Sequence, residues 1–81
     1  MSVESNLRKF ILENYLFTDD ESALNNNDSF LNKGIIDSTG ILEVIFFIEE
    51  NYSIKVADEE MVPENLDSIT NLVAFIARKK G

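Results

Sequence analysis

Apolar residues recur at helical spacing in three separate stretches of this 81-residue chain, and no two stretches alternate in a way that would pair as a sheet. Over residues 3–17, Val3, Leu7, Phe10, Ile11 and Phe17 fall on one stripe, with Glu4, Arg8 and Glu13 off it and Leu12 and Leu16 outside it. From about Ser38 to Tyr52, Ile41, Val44, Ile45, Ile48 and Tyr52 share a face. Asp37 is placed to cap that helix, Glu43 lies near its first turn where negative charge is favoured, and Asn51 to Ser53 ends it. The third stretch opens after Asp67, another capping candidate, and runs to about Lys79 on Ile69, Leu72, Val73 and Ile76. Arg78, Lys79 and Lys80 then meet the negative end of the helix dipole, and Gly81 follows. A one-turn helix fits Asp58 to Met61, stopped by Pro63. Ser53 to Val56 could be extended, but it has no strand to pair with.

Between the first two helices, residues 18–37 lose the pattern and read as loop, centred on Asn25, Asn26, Asn27 and Asp28. A loop of this length is unusual in so small a domain. Leu24, Phe30 and Leu31 are expected to pin it to the core and Ile35 and Ile36 to anchor its far end, with room for one short helical turn inside. The expected fold is therefore all-α: a single domain over residues 1–81, a small four-helix bundle of three main helices and one short one, with a long loop after the first.

Composition narrows the chemistry. There is no cysteine and no histidine, so disulfides and Cys/His or Ser/His nucleophile pairs are absent. Metal ligands reduce to carboxylates and carbonyls, which suit at most Mg²⁺ or Ca²⁺. No frame around Asn25 to Gly34 supplies the alternating ligands, sixth-position glycine and twelfth-position acid of an EF-hand, so no metal site is expected. Nothing resembles a paired acid and base. The chain reads as no enzyme, and covalent chemistry would need a group added to it. Seven Lys and Arg against fifteen Asp and Glu leave a net charge of -8, which repels nucleic acid and anionic membrane and attracts basic protein surfaces. Acidity that merely keeps a small domain soluble is the plainer reading of the same number. Arg8, Lys9 and Glu13 interrupt the first apolar stretch, which is thus neither a signal region nor a membrane span, and a cytoplasmic monomer is expected.

The informative segment is Gly34-Ile35-Ile36-Asp37-Ser38-Thr39-Gly40. It puts the Ser38 hydroxyl where a loop enters the first turn of a helix. A phosphate attached there would meet free backbone N–H groups and the positive end of the dipole. Gly34 and Gly40 are expected to keep the surroundings open, and Asp37 could hold a divalent cation that bridges a diphosphate donor. Asp-Ser at a helix start is also a common capping pair, and by itself the dipeptide favours that reading.

The stretch from Gly34 to Tyr52 resembles the attachment site and second helix of acyl carrier proteins, with their Asp-Ser-Leu signature. Asp58-Glu59-Glu60 looks like their acidic third-helix segment, and Asn65-Leu66-Asp67-Ser68-Ile69 like the start of their last helix. This resemblance, over nearly the whole chain, implies the four-helix carrier bundle. It also implies a 4'-phosphopantetheine arm on Ser38, transferred from coenzyme A by a Mg²⁺-dependent phosphopantetheinyl transferase, whose thiol holds an acyl group as a thioester. Further partners would be an acyl or amino-acid loading ligase and downstream acyl-transferring enzymes, in fatty-acid or specialised biosynthesis.

On the wheel of the second helix, Leu42 and Phe46 lie off the core face with Thr39, Glu43 and Glu50, an apolar centre with an acidic rim suited to docking. The matching positions in carrier proteins meet partner enzymes. Phe46 and Phe47 could instead pack against the long loop or shelter an acyl chain. One departure stands out: carrier proteins usually have a hydrophobic residue after the serine, and here Thr39 and Gly40 follow. That version looks more like stand-alone carriers of specialised pathways, some of them resembling carriers loaded with amino acids by an ATP-dependent ligase, and it implies small or amino-acyl cargo. The competing reading is an acidic helical adaptor that binds a basic partner without a prosthetic group.

Overall fold

Helix α1 (Val3–Ile11) begins where the Ser2 side chain accepts the Ser5 N–H at 3.0 Å, with Glu4 in its first turn, in a computed structural model that describes residues 2–80. Leu7 and Ile11 are buried, and Val3 and Phe10 pack at the edge of the core, as the stripe requires. From Leu12 to Leu16 the helix widens into a π turn, and Phe17 leaves it in the left-handed region at φ 55°. This exit changes two expectations. Phe17 is 82 % exposed and is not part of the core stripe. Leu12, outside that stripe, is buried, because a 3-10 turn at Glu21–Ala23 folds back against the π segment that Leu12 opens.

The long loop is held from both sides. Arg8 donates to the Glu21 carboxylate at 3.0 Å, to the Glu21 carbonyl at 2.7 Å and to the Asn26 side chain at 2.7 Å. On the other side, the Thr70 N–H donates to the Asn26 carbonyl at 3.0 Å and the Thr70 hydroxyl to the Asn27 side chain at 2.8 Å. The Asn-rich run is a loop, as expected, with Asn25 and Asn27 exposed, and it also serves as a two-sided tether. Leu24, Phe30 and Ile36 are buried as expected, and Ile35 packs at the edge of the core. Leu31 is exposed instead, with its backbone N–H donating to the Asp67 carboxylate at 3.0 Å.

Helix α2 (Gly40–Tyr52) ends at Ser53, which takes the left-handed conformation, and the Lys80 ammonium donates to the Tyr52 carbonyl at 3.0 Å. Ile54 and Val56 follow as buried residues of an irregular segment. A 3-10 turn at Asp58–Glu60 stands where the one-turn helix was expected, but Pro63 does not stop it. Pro63 opens a short helix, α3 (Pro63–Leu66), at the first position, where its missing N–H costs nothing. Helix α4 (Ile69–Lys80) buries Ile69, Leu72 and Ile76, and also Phe75, which the stripe omitted. Its cap is Ser68, whose hydroxyl accepts the Asn71 N–H at 3.1 Å and whose carbonyl accepts the Leu72 N–H at 2.9 Å. Asp67, the expected cap, takes the Leu31 N–H and the Ser29 hydroxyl, and so serves the long loop. Gly81 lies outside the described residues. Among those described there are four α-helices and no strand, with α4 packed against α1 and α3 around one apolar core.

Candidate functional site

Ser38 stands exposed in the turn between the long loop and α2. Asp37 organises that turn: its carboxylate accepts the Gly40 N–H at 2.7 Å and its carbonyl the Ile41 N–H at 3.1 Å. The next bond, from the Leu42 N–H to the Thr39 carbonyl at 3.2 Å, is of the tighter i to i+3 kind. The first turn is therefore mixed, and the regular helix starts at Gly40, two residues after the expected Ser38. One consequence concerns anion binding. The N–H groups of Gly40, Ile41 and Leu42 are already engaged and so are not open to a phosphate on Ser38, which the helix dipole still favours.

The two glycines are needed for separate reasons. Gly34 has φ +69°, a conformation that side chains rarely adopt, with open space around it. Gly40 sits in a crowded place: a Cβ there would lie 2.8 Å from Ile36 Cγ2, 3.3 Å from Asp37 Oδ1 and 3.4 Å from Tyr15 Cε1. Contrary to expectation, Gly40 does not open the site; it lets the π turn after α1, the loop end and α2 close on one another beside Ser38.

A groove of about 280 Å³ opens beside Ser38, lined by Leu31, Ile41, Leu42, Ile45, Met61, Val62, Pro63, Leu66 and Asp67. Its walls are mostly apolar, with Ser38 and Asp67 as the polar side chains. Leu31 and Met61, which the wheel analysis could not assign to the site, are brought there by the loop and by the 3-10 turn. Across the turn from this groove lies a second, more polar hollow lined by Tyr15, Asp37, Thr39 and Glu43 among others.

The outward face of α2 is as expected. Val44, Ile45 and Ile48 are buried and Ile41 and Tyr52 half-buried, whereas Leu42 is 52 % and Phe46 66 % exposed, with Thr39, Glu43 and Glu50 also at the surface. Phe47 is core-facing: its ring stacks on Phe10 at 4.2 Å. Glu43 is not a free rim charge, because the Tyr15 hydroxyl donates to its carboxylate at 2.6 Å. Burial, and the Glu43 and Asp37 charges, hold the Tyr15 hydroxyl well above the ordinary phenol range, so it stays protonated and remains a donor. Among the described residues, no group of three or more carboxylates could hold a metal ion, and no helix is long and apolar enough to cross a membrane.

No family model matches the chain. It is 26 % identical over 81 residues to the acyl carrier protein of Chlamydia caviae, with all of both chains covered. A solution structure of a holo acyl carrier protein from Nitrosomonas europaea superposes with a TM-score of 0.75 at 23 % identity, covering 99 % of this chain and 98 % of that one. Sequence over the full length and fold over nearly all of it thus agree: the chain has the acyl carrier protein fold and resembles that family.

Proposed function

We propose that the chain is a carrier rather than a catalyst, holding an acyl or aminoacyl group on a 4'-phosphopantetheine arm attached to Ser38. The observation that carries this reading is the placement of Ser38: exposed, in a turn organised by Asp37, at the edge of an apolar groove. Attachment forms a bond from Ser38 Oγ to the phosphorus that bears the pantetheine in coenzyme A. The diphosphate bond breaks, adenosine 3',5'-bisphosphate leaves, and the hydroxyl proton passes to a base on the transferase. The residues present fit the group, because Ser38 is accessible and the groove beside it accepts an apolar chain. When attached, the arm supplies the thiol that this sequence lacks. Asp37 holds the turn, and its second carboxylate oxygen is free to face a Mg²⁺ brought by the transferase and its diphosphate donor. Thr39, Leu42, Glu43, Phe46 and Glu50 form the face that meets the transferase, a loading ligase and the acyl-transferring enzymes that follow. The reading carries a cytoplasmic place with it.

Cargo is small or amino-acyl on this reading. Thr39 and Gly40, standing where carrier proteins usually have a hydrophobic residue after the serine, support it. Efficient loading by a long-chain acyl synthetase, in preference to an amino-acid ligase from the same host, would count against it.

The deciding experiment is intact mass after incubation with coenzyme A and a broad-specificity transferase. One phosphopantetheinyl addition is expected on the wild type and none on Ser38→Ala, which should keep its helical circular-dichroism spectrum. No addition to the wild type would favour an acidic adaptor without a prosthetic group. Addition that persists in Ser38→Ala, at Ser29 or Ser68 for instance, would displace the site.

A further inference from the structure

The first residue of α2 is approached from two sides. The Gly40 N–H is held by the Asp37 carboxylate at 2.7 Å, and the Gly40 carbonyl lies 3.2 Å from the Tyr15 hydroxyl. The same hydroxyl lies 2.6 Å from Glu43 Oε1. It has one hydrogen to give, and the shorter contact to a charged acceptor takes most of it. Tyr15 belongs to the π turn Leu12–Leu16, its ring meets Phe10 edge-on, and Phe10 in turn stacks on Phe47 of α2. The ring is therefore backed on one side by packed aromatics, and on the other it reaches the crowded space at Gly40.

Resting on the carrier reading above, we propose that Tyr15 is a positioning residue for the Ser38 turn. Its hydroxyl ties Glu43 and the first turn of α2 to the end of α1, so that Ser38 is presented in one orientation and Glu43 keeps one carboxylate oxygen directed outward for a basic partner. Ser38 and Thr39, both exposed, stand between the gripped Gly40 and the capping Asp37. Without the tether the turn samples other arrangements, and a transferase binds only the fraction of molecules that present Ser38 correctly. Chemistry at the hydroxyl, once bound, is untouched. The expected signature is thus a weakened encounter with an unaltered turnover.

Tyr15→Phe removes the hydroxyl and keeps the ring that fills the space beside Gly40. Initial rates of pantetheinyl transfer from coenzyme A are measured against carrier concentration for this variant and the wild type. Amide hydrogen exchange at Gly40, Ile41 and Leu42 is followed on the unmodified proteins, together with the melting temperature. The proposal expects KM to rise roughly three- to ten-fold with kcat nearly unchanged, and faster exchange confined to those three amides. Unchanged exchange overturns it, as does an unchanged KM. Exchange that rises equally throughout α1 and α2 with a fallen melting temperature also overturns it, because the hydroxyl would then be supporting the whole domain. Exchange is read without any transferase. If the wild type accepts no group at Ser38, the carrier reading fails and the exchange result still decides whether Tyr15 orders the turn.

Discussion

Replacing Phe46 by alanine tests whether the outward face of α2 is a docking surface, because its neighbour in sequence supplies an internal control. Phe46 is 66 % exposed, and Ile45, one residue before it, is 5 % exposed. A phenylalanine side chain offers roughly 150–250 Å² of surface. With two-thirds of it still in water, about 25 cal/mol/Å² sets a ceiling near 4 kcal/mol on what a partner could gain by covering it. Ordering and orientation costs reduce that figure, so loss of a true anchor should weaken binding by about 1–2 kcal/mol, or roughly five- to thirty-fold. Stability should respond in the opposite order. Ile45→Ala leaves a cavity in the core and should cost roughly 2–5 kcal/mol. For a domain of this size each kcal/mol lowers the melting temperature by about 4–8 °C. Phe46→Ala should stay within about 0.5 kcal/mol of the wild type. The assay pairs thermal melts of the three proteins with the KM for pantetheinyl transfer or cargo loading, at low and high salt. An apolar anchor weakens binding at both salt concentrations. A Phe46→Ala protein that melts as early as Ile45→Ala would make Phe46 a core residue and refute the docking face. One that melts and loads like the wild type would make the patch idle surface.

Charge reversal at Glu50 should slow loading chiefly at low salt, since rim charges act on association rate, and a salt-independent loss would contradict this. Reversal at Glu43 should add the loss of the Tyr15 tether, so its defect should persist in part at high salt. Gly40→Ala should destabilise the domain despite a helix propensity gain of about 1 kcal/mol, because Ile36 is buried and cannot retreat from a Cβ at 2.8 Å; a higher urea midpoint would refute that packing argument. The Glu60 carboxyl is held below its ordinary 4.5 by the Ala57 N–H and by Lys79. An acid depressed on folding contributes stability above its unfolded value and loses it as pH falls through the folded one. Lys79→Ala should therefore shrink the stability lost on acidification below pH 4.5, read from denaturant midpoints on either side of that value.

Much of the fold was legible because helix α2 and helix α4 carry strong local patterns. Each has apolar residues at helical spacing, and each ends where the pattern ends. The errors cluster where a residue had two local roles open to it. Pro63 could stop one helix or start another, and both readings obey the same missing N–H. Asp67 was read as the cap of α4, but Ser29 and Leu31 of the long loop claim its carboxylate and Ser68 caps the helix instead. Phe17 was placed on a straight wheel, and the π turn removed the geometry that the wheel assumes. At the site, Ser38 was singled out by resemblance, and the outward Leu42 and Phe46 were legible from helical spacing. Tyr15, Leu31 and Met61 were not, because each reaches the site from a different part of the chain.

The sequence by itself determined the class of the molecule. Helical periodicity without strand partners required an all-helical domain, and the resemblance of Gly34 to Tyr52 set a carrier reading beside that of an adaptor. It also placed Ser38 at a helix start, a local feature that needs no tertiary contact, though the Asp-Ser pair by itself favours a cap. The tertiary structure decided what surrounds that serine. An apolar groove exists only when the loop, α2 and the turn before α3 meet, and Glu43 becomes a held charge only when the π turn after α1 delivers a tyrosine hydroxyl to it. Periodicity records which face of a helix turns inward, whereas a contact between distant segments depends on the packing of all of them at once.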